Sequence, residues 1–171
     1  MKRFITAGVV ALVCAFSAAL AQQPAPAPKA DYSGVWTLDT AKSDGLPPML
    51  KGQKLTVKQT GDRVEIESKM TLEEGDRNDT DAFTVDGKAA DYTPKGPGGM
   101  EGKGKRTATW NADGRGIDLD EAATFDTPMG SADVKITRKW SLSADGKTLT
   151  IEINAETPMG AQHSKRTFTK S

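Results

Sequence analysis

The sequence predicts an all-β chain, a single up-and-down antiparallel barrel of about 8–10 strands behind an export leader and a proline-alanine tether. Three observations carry that prediction. Short segments alternate apolar and polar residues at regular spacing, and no helical periodicity longer than a turn or two interrupts them. Asp-Gly pairs at Asp86-Gly87, Asp113-Gly114 and Asp145-Gly146 stand between such segments, the strongest short-range hairpin signal there is. Finally, Thr127-Pro128-Met129-Gly130 returns as Thr157-Pro158-Met159-Gly160, with Lys135 matched by Lys165 and Thr137 by Thr167, a spacing that fits two strands and two turns. The repeated unit is therefore an antiparallel meander. A sandwich is the second architecture the pattern allows.

Residues 1–21 read as a signal peptide. A charged Met1-Lys2-Arg3 precedes an apolar run from Phe4 to Leu20, and Ala19-Leu20-Ala21 has the small-residue form of a cleavage site. Cleavage there starts the mature chain at Gln22 and removes Cys14, the one cysteine, so disulfides, thiolate metal sites and cysteine nucleophiles are excluded. The apolar run is short for a membrane span, so no transmembrane segment is expected in the mature chain, which is placed in the periplasm or outside the cell. Residues 22–30 alternate proline and alanine and form an extended linker. Residues 31–171 suffice for one domain with one core and are expected to be monomeric. Without Lys2 and Arg3 the chain is slightly acidic, which argues against nucleic acid as a partner.

In chain order, Ser33 to Leu38 is the first strand, Asp39 to Ser43 a turn stopped by Pro47-Pro48, and Gln53 to Thr60 and Arg63 to Met70 a hairpin about Gly61-Asp62. Leu72 to Asn78 reads as a charged connection, Thr80 to Val85 and Lys88 to Thr93 as a hairpin about Asp86-Gly87, and Pro94 to Gly104 as a mobile glycine-rich loop. Five strands complete the sheet. Their period-two phase turns Arg106, Ala108 and Trp110 inward, then Ile117, Leu119, Glu121, Ala123 and Phe125. Val134, Ile136, Arg138, Trp140 and Leu142 follow on the same face, as do Leu149, Ile151, Ile153 and Ala155, and lastly Ser164, Arg166 and Phe168. Turns centred on the Asp-Gly pairs set Arg106 opposite Glu121 and Arg138 opposite Ile153. Four-residue loops at Pro128 to Ser131 and Pro158 to Ala161 would set Glu121 opposite Arg138 and Ile153 opposite Arg166.

Gly34-x-Trp36 on the first strand, with Arg166 on the last, resembles the lipocalin and fatty-acid-binding-protein group of β-barrels. The resemblance implies that Trp36 closes one end of the barrel beside Gly34, with Arg166 packed over it. The stretches Asp31 to Leu38 and Ser143 to Ile151 are similar to secreted bacterial lipocalin-like proteins. Residues 39 to 52 are too few for a two-helix lid.

The inward Arg106, Glu121, Arg138 and Arg166, with Trp140 as an apolar wall, form a candidate anion-binding floor centred on Arg138, since a guanidinium matches a carboxylate bidentately. The bland alternative is a structural ion network, because buried charges need partners with or without a ligand. His163 lies in the outward phase with no second histidine, and neither a metal, a cofactor nor a catalytic residue is expected. Asp76 to Asp81 reads as a solvated acidic connection. The expectation is thus a non-enzymatic exported protein that holds a small, partly apolar anion, lipid or fatty-acid-like, inside the barrel. A tethered interaction module whose barrel is filled by its own side chains is the alternative.

Overall fold

The computed structural model describes residues 28–96, 99–128 and 130–171. The leader over 1–21, and the linker apart from residues 28–30, lie outside the described residues. The rest forms ten antiparallel strands in one sheet: β1 (Gly34–Leu38), β2 (Leu50–Thr60), β3 (Arg63–Leu72), β4 (Gly75–Thr84), β5 (Ala90–Tyr92), β6 (Lys103–Trp110), β7 (Gly116–Thr127), β8 (Gly130–Leu142), β9 (Thr148–Thr157) and β10 (Gly160–Lys170). The spatial order is β4-β3-β2-β1-β10-β9-β8-β7-β6-β5. First and last strands pair, with Trp36 opposite Lys170 and Leu38 opposite Phe168. This is the up-and-down architecture expected. It is not fully closed, because no ladder joins β4 to β5, and the sheet curls until side chains of β4 and β6 meet across that seam.

The seam corrects the Asp86-Gly87 hairpin. Val85 donates its N–H to Asp62 O at 2.8 Å while Gly87 donates to Ala108 O at 2.9 Å, so the chain crosses from one edge of the sheet to the other instead of folding back on itself. β4 is also longer than expected. Glu73-Glu74 is a tight turn, Leu72 pairs with Gly75, and the acidic run expected to be a connection is strand, with Lys69 bridging to Asp76 at 2.9 Å.

Turn chemistry sorts by end. At one end, here the floor, Gly61, Gly114 and Gly146 have φ of 60°, 69° and 68° within their turns. At the other end, the mouth, Gly75, Gly130 and Gly160 have φ of 129°, 115° and 119° and follow the turn as the first residue of a strand. The Asp-Gly turns keep the expected centre, so Arg106 faces Glu121 and Arg138 faces Ile153. The Thr-Pro-Met-Gly turns centre one residue earlier than expected. Thr127 pairs with Gly130 and Thr157 with Gly160, which corrects the register by two residues: Glu121 faces Ile136 and Arg166 faces Ile151. A two-residue slip preserves the face, so every inward assignment on these strands stands.

Packing is concentrated at the floor. Tyr32 stacks on Trp110 at 6.2 Å and meets Trp140 edge-on at 5.7 Å, and Phe83 meets Trp140 edge-on at 6.0 Å. Each such pair adds about 1 kcal/mol beyond its buried area. Tyr32 is fully buried, its hydroxyl donating to Arg115 O at 2.7 Å. Residues 28–33 strap across the opening: Ala30 donates to Gly114 O, and Lys29 is paired with Asp62. Thr167, outward in phase, is buried because a 3-10 turn at Thr40–Lys42 covers it and accepts its hydroxyl at Lys42 O, 3.0 Å away.

Candidate functional site

Above the aromatic floor the sheet curls around a cavity of about 370 Å³. Its wall brings together all five residues expected of a ligand site: Arg106, Glu121, Arg138, Trp140 and Arg166. It also holds residues that the sequence reading left out, namely Gln53 on β2, Arg77, Asp79 and Asp81 on β4, and Tyr92 on β5. Their signal was the alternation Arg77, Asp79, Asp81, Phe83, a period-two face carried mostly by charges.

Asp81 reaches across the seam and changes the charge pattern. Arg106 donates to Asp81 Oδ1 at 2.8 Å, and Arg138 lies 3.8 Å from Oδ2. Glu121, its side chain 1% exposed, has Arg138 at 3.1 Å and Arg106 at 3.9 Å. Two guanidinium groups and two carboxylates thus close a neutral square, roofed by Tyr92, whose ring lies 4.0 Å from the Arg106 guanidinium carbon. Arg77 is paired with Asp79 at 2.8 Å. Burial pushes Glu121 above the ordinary carboxylate range, against the pull of Arg138 and Arg106 and with a small contribution from Asp81. The Tyr92 hydroxyl is pushed up to about 12, chiefly by burial and next by Glu121.

Arg166 stands outside this square. Among the described residues its one side-chain partner is Gln53 Oε1 at 2.9 Å, its Nε is buried with no acceptor, and no carboxylate lies within ion-pair distance. Burial, and then the neighbouring Arg138, disfavour its charge. Among the described residues the unneutralised guanidinium of the cavity is therefore Arg166 on β10, two strands away from Arg138 on β8, the expected centre of the site.

Barrel closure uses a different cation from the one expected. Trp36 is fully buried and donates its indole N–H to Tyr32 O at 2.9 Å, and the ammonium lying over its ring, 5.1 Å from the centroid, belongs to Lys170. Arg166 is engaged with Gln53 instead. Gly34, at φ 141°, leaves the space: a Cβ there would stand 2.6 Å from Lys170 Cε.

Pro94 to Gly104 is anchored where it is described, which corrects the expected free loop. Gly96 donates to Met100 O at 2.7 Å and Gly102 to Pro94 O at 2.9 Å. A Cβ on Gly96 or Gly102 would meet the Phe125 ring at 3.1 Å or 2.8 Å, so these glycines are contact surfaces for an aromatic ring. His163 is exposed, with Nδ1 2.8 Å from Asn154 Oδ1.

No protein-family model and no curated protein sequence matches the chain. Among solved structures it is similar to zebrafish ileal bile acid-binding protein complexed with cholic acid, at 19% identity and a TM-score of 0.49, covering 82% of this chain and 98% of that one. It is also similar to secretory abundant heat soluble protein 4 from Ramazzottius varieornatus, at 12% identity and a TM-score of 0.43, covering 82% of this chain and 94% of that one.

Proposed function

We propose that the protein is a non-enzymatic carrier that holds a small amphipathic monoanion, lipid or fatty-acid-like, inside the barrel, with its acid group at Arg166. The observation that carries this reading is the pairing of the cavity's guanidinium groups, the other cation of the wall, Lys95, being exposed to water. Arg106 and Arg138 are matched by Asp81 and Glu121, Arg77 by Asp79, and Arg166 by nothing anionic among the described residues. A buried guanidinium without a counter-ion is costly, and a carboxylate arriving beside it recovers a charge-assisted hydrogen bond in a low-dielectric site. Ile136, Ile151, Ile153 and Phe168 line the same cavity and supply apolar wall for a tail.

Titration with an anionic fluorescent amphiphile such as 1-anilinonaphthalene-8-sulfonate tests this. Saturable binding by the wild type is expected, weakened roughly tenfold or more in Arg166→Met, with an unchanged circular dichroism spectrum. A wild-type barrel that takes up no anionic amphiphile is instead the filled interaction module. The same proposal places the protein outside the cytoplasm, on the basis of the leader-like residues 1–21, and N-terminal sequencing of exported material should begin at Gln22.

A further inference from the structure

All five buried side-chain polar atoms that lack a hydrogen-bond partner among the described residues belong to residues that line this one cavity: Arg166 Nε, Arg106 Nε, Trp140 Nε1 and both oxygens of Glu121. Buried polar groups are almost always satisfied, so five orphans on residues around one cavity leave hydrogen-bonding capacity there for a ligand to use. Three are donors and two are acceptors. An acid group at Arg166 uses one donor and leaves the opposite chemistry at Glu121 unused.

The gap between Arg106 Nε and Glu121 Oε1 is specific. At 3.9 Å it is too long for a hydrogen bond, and Arg138, though 3.1 Å from Oε2, makes no aligned hydrogen bond to it. Glu121 is paired in charge and unpaired in hydrogen bonding. A hydroxyl oxygen between the two atoms can donate to Oε1 and accept from Nε together. A methylene can do neither, and a second carboxylate would upset the two-against-two balance of Arg106 and Arg138 with Asp81 and Glu121.

Building on the monoanion reading above, we infer that Glu121 is a specificity determinant: the preferred ligand is a hydroxylated amphipathic monoacid whose hydroxyl bridges Glu121 and Arg106 while its acid group meets Arg166. Plain alkyl acids enter the same cavity but leave the Glu121 end unsatisfied.

The test compares octadecanoate with octadecanoate bearing a mid-chain hydroxyl, each displacing bound 1-anilinonaphthalene-8-sulfonate from the full chain. The wild type should prefer the hydroxy acid by roughly tenfold, the worth of a charge-assisted hydrogen bond. In the paired substitution Glu121→Leu with Arg138→Met, which removes one charge of each sign, that ratio should fall to about one while both acids still bind. Glu121→Gln, closer in shape, should lower the ratio severalfold and serves if the double variant does not fold. Equal affinity of the wild type for both acids overturns the inference and leaves the monoanion reading intact. A preference that survives both variants overturns the role of Glu121. Failure of both acids to bind the wild type defeats both proposals.

Discussion

The two ends of this barrel are built from the same ten strands and solve opposite problems. At the floor, Tyr32, Trp36, Trp110, Trp140 and Phe83 interlock, their polar atoms mostly tied to backbone or carboxylate oxygens: Trp36 to Tyr32 O, Tyr32 to Arg115 O, Trp110 to Asp62. Towards the mouth, the same inward phase carries Arg77, Asp79, Asp81, Arg106, Glu121, Arg138 and Arg166, which hold four of the five unpartnered polar atoms among the described residues, the fifth being Trp140 Nε1 where floor meets cavity. One end is packed and largely satisfied, the other charged and incomplete. Stability and recognition are therefore separable along the strand axis, and mutations should divide accordingly.

The largest expected effect lies at the floor. Trp36→Ala removes a fully buried ring and should cost roughly 3–5 kcal/mol, read as a lower urea midpoint at unchanged slope, because the cavity left behind cannot collapse between β1 and β10. An equally severe loss of amphiphile binding at temperatures where the variant stays folded would contradict the division.

At the charged end, Glu121→Leu alone leaves Arg106 and Arg138 sharing the single carboxylate of Asp81 and should destabilise by about 3 kcal/mol, whereas pairing it with Arg138→Met should recover most of that loss. A double-mutant cycle in chemical denaturation measures the coupling. Strictly additive losses would mean the square is not an energetic unit.

A smaller effect concerns pH. Burial raises the Glu121 pKa above its ordinary 4.5, so the folded state holds the proton more tightly than the unfolded chain. The contribution of this group is accordingly most favourable below pH 4.5 and is lost as pH rises through the folded value. Glu121→Gln should flatten that segment of the stability profile. Asp62 behaves in the reverse sense: hydrogen bonds from Lys29 and Trp110 hold it below its ordinary 3.8, so its support of the strap disappears as pH falls through the still lower folded value. Acid titration should then shift Trp110 emission and speed hydrogen exchange over residues 28–33, and Asp62→Asn should show the same state at neutral pH.

Much of this division was legible in the sequence. Period-two phase found the inward face of β6 to β10, and with it Arg106, Glu121, Arg138, Trp140 and Arg166, because a one-residue error would have exposed every apolar neighbour. Asp113-Gly114 and Asp145-Gly146 set register because loops of two or four residues about the same centre align the same partners. Thr-Pro-Met-Gly misled because its glycine begins the strand, at φ 115° and 119°, and does not sit inside the loop. The Asp81 half of the square was hidden for a physical reason. A strand that turns Arg77, Asp79 and Asp81 inward has no apolar alternation to betray it, and its charges make sense only against arginines that are distant in sequence and adjacent across the seam. Asp86-Gly87 gave the right local turn chemistry for a crossing that no local signal distinguishes from a hairpin.

The pairing of β1 with β10 has a consequence for the history of the chain. Every other ladder among the described residues joins strands that follow one another in sequence, so the sheet can grow hairpin by hairpin at little cost in loop entropy. The single exception brings Trp36 against Lys170 and closes nearly the whole domain, an entropic cost of about 4 kcal/mol by the logarithmic law. The two ends of that loop finish side by side, since Ser171 donates its N–H to Val35 O at 2.8 Å. A circular permutant that joins them through a short linker and opens the chain at Glu73-Glu74 would make the slow step local, with new termini at a hairpin tip already exposed to water. Such a chain should fold faster than the natural order while keeping every rung of the sheet.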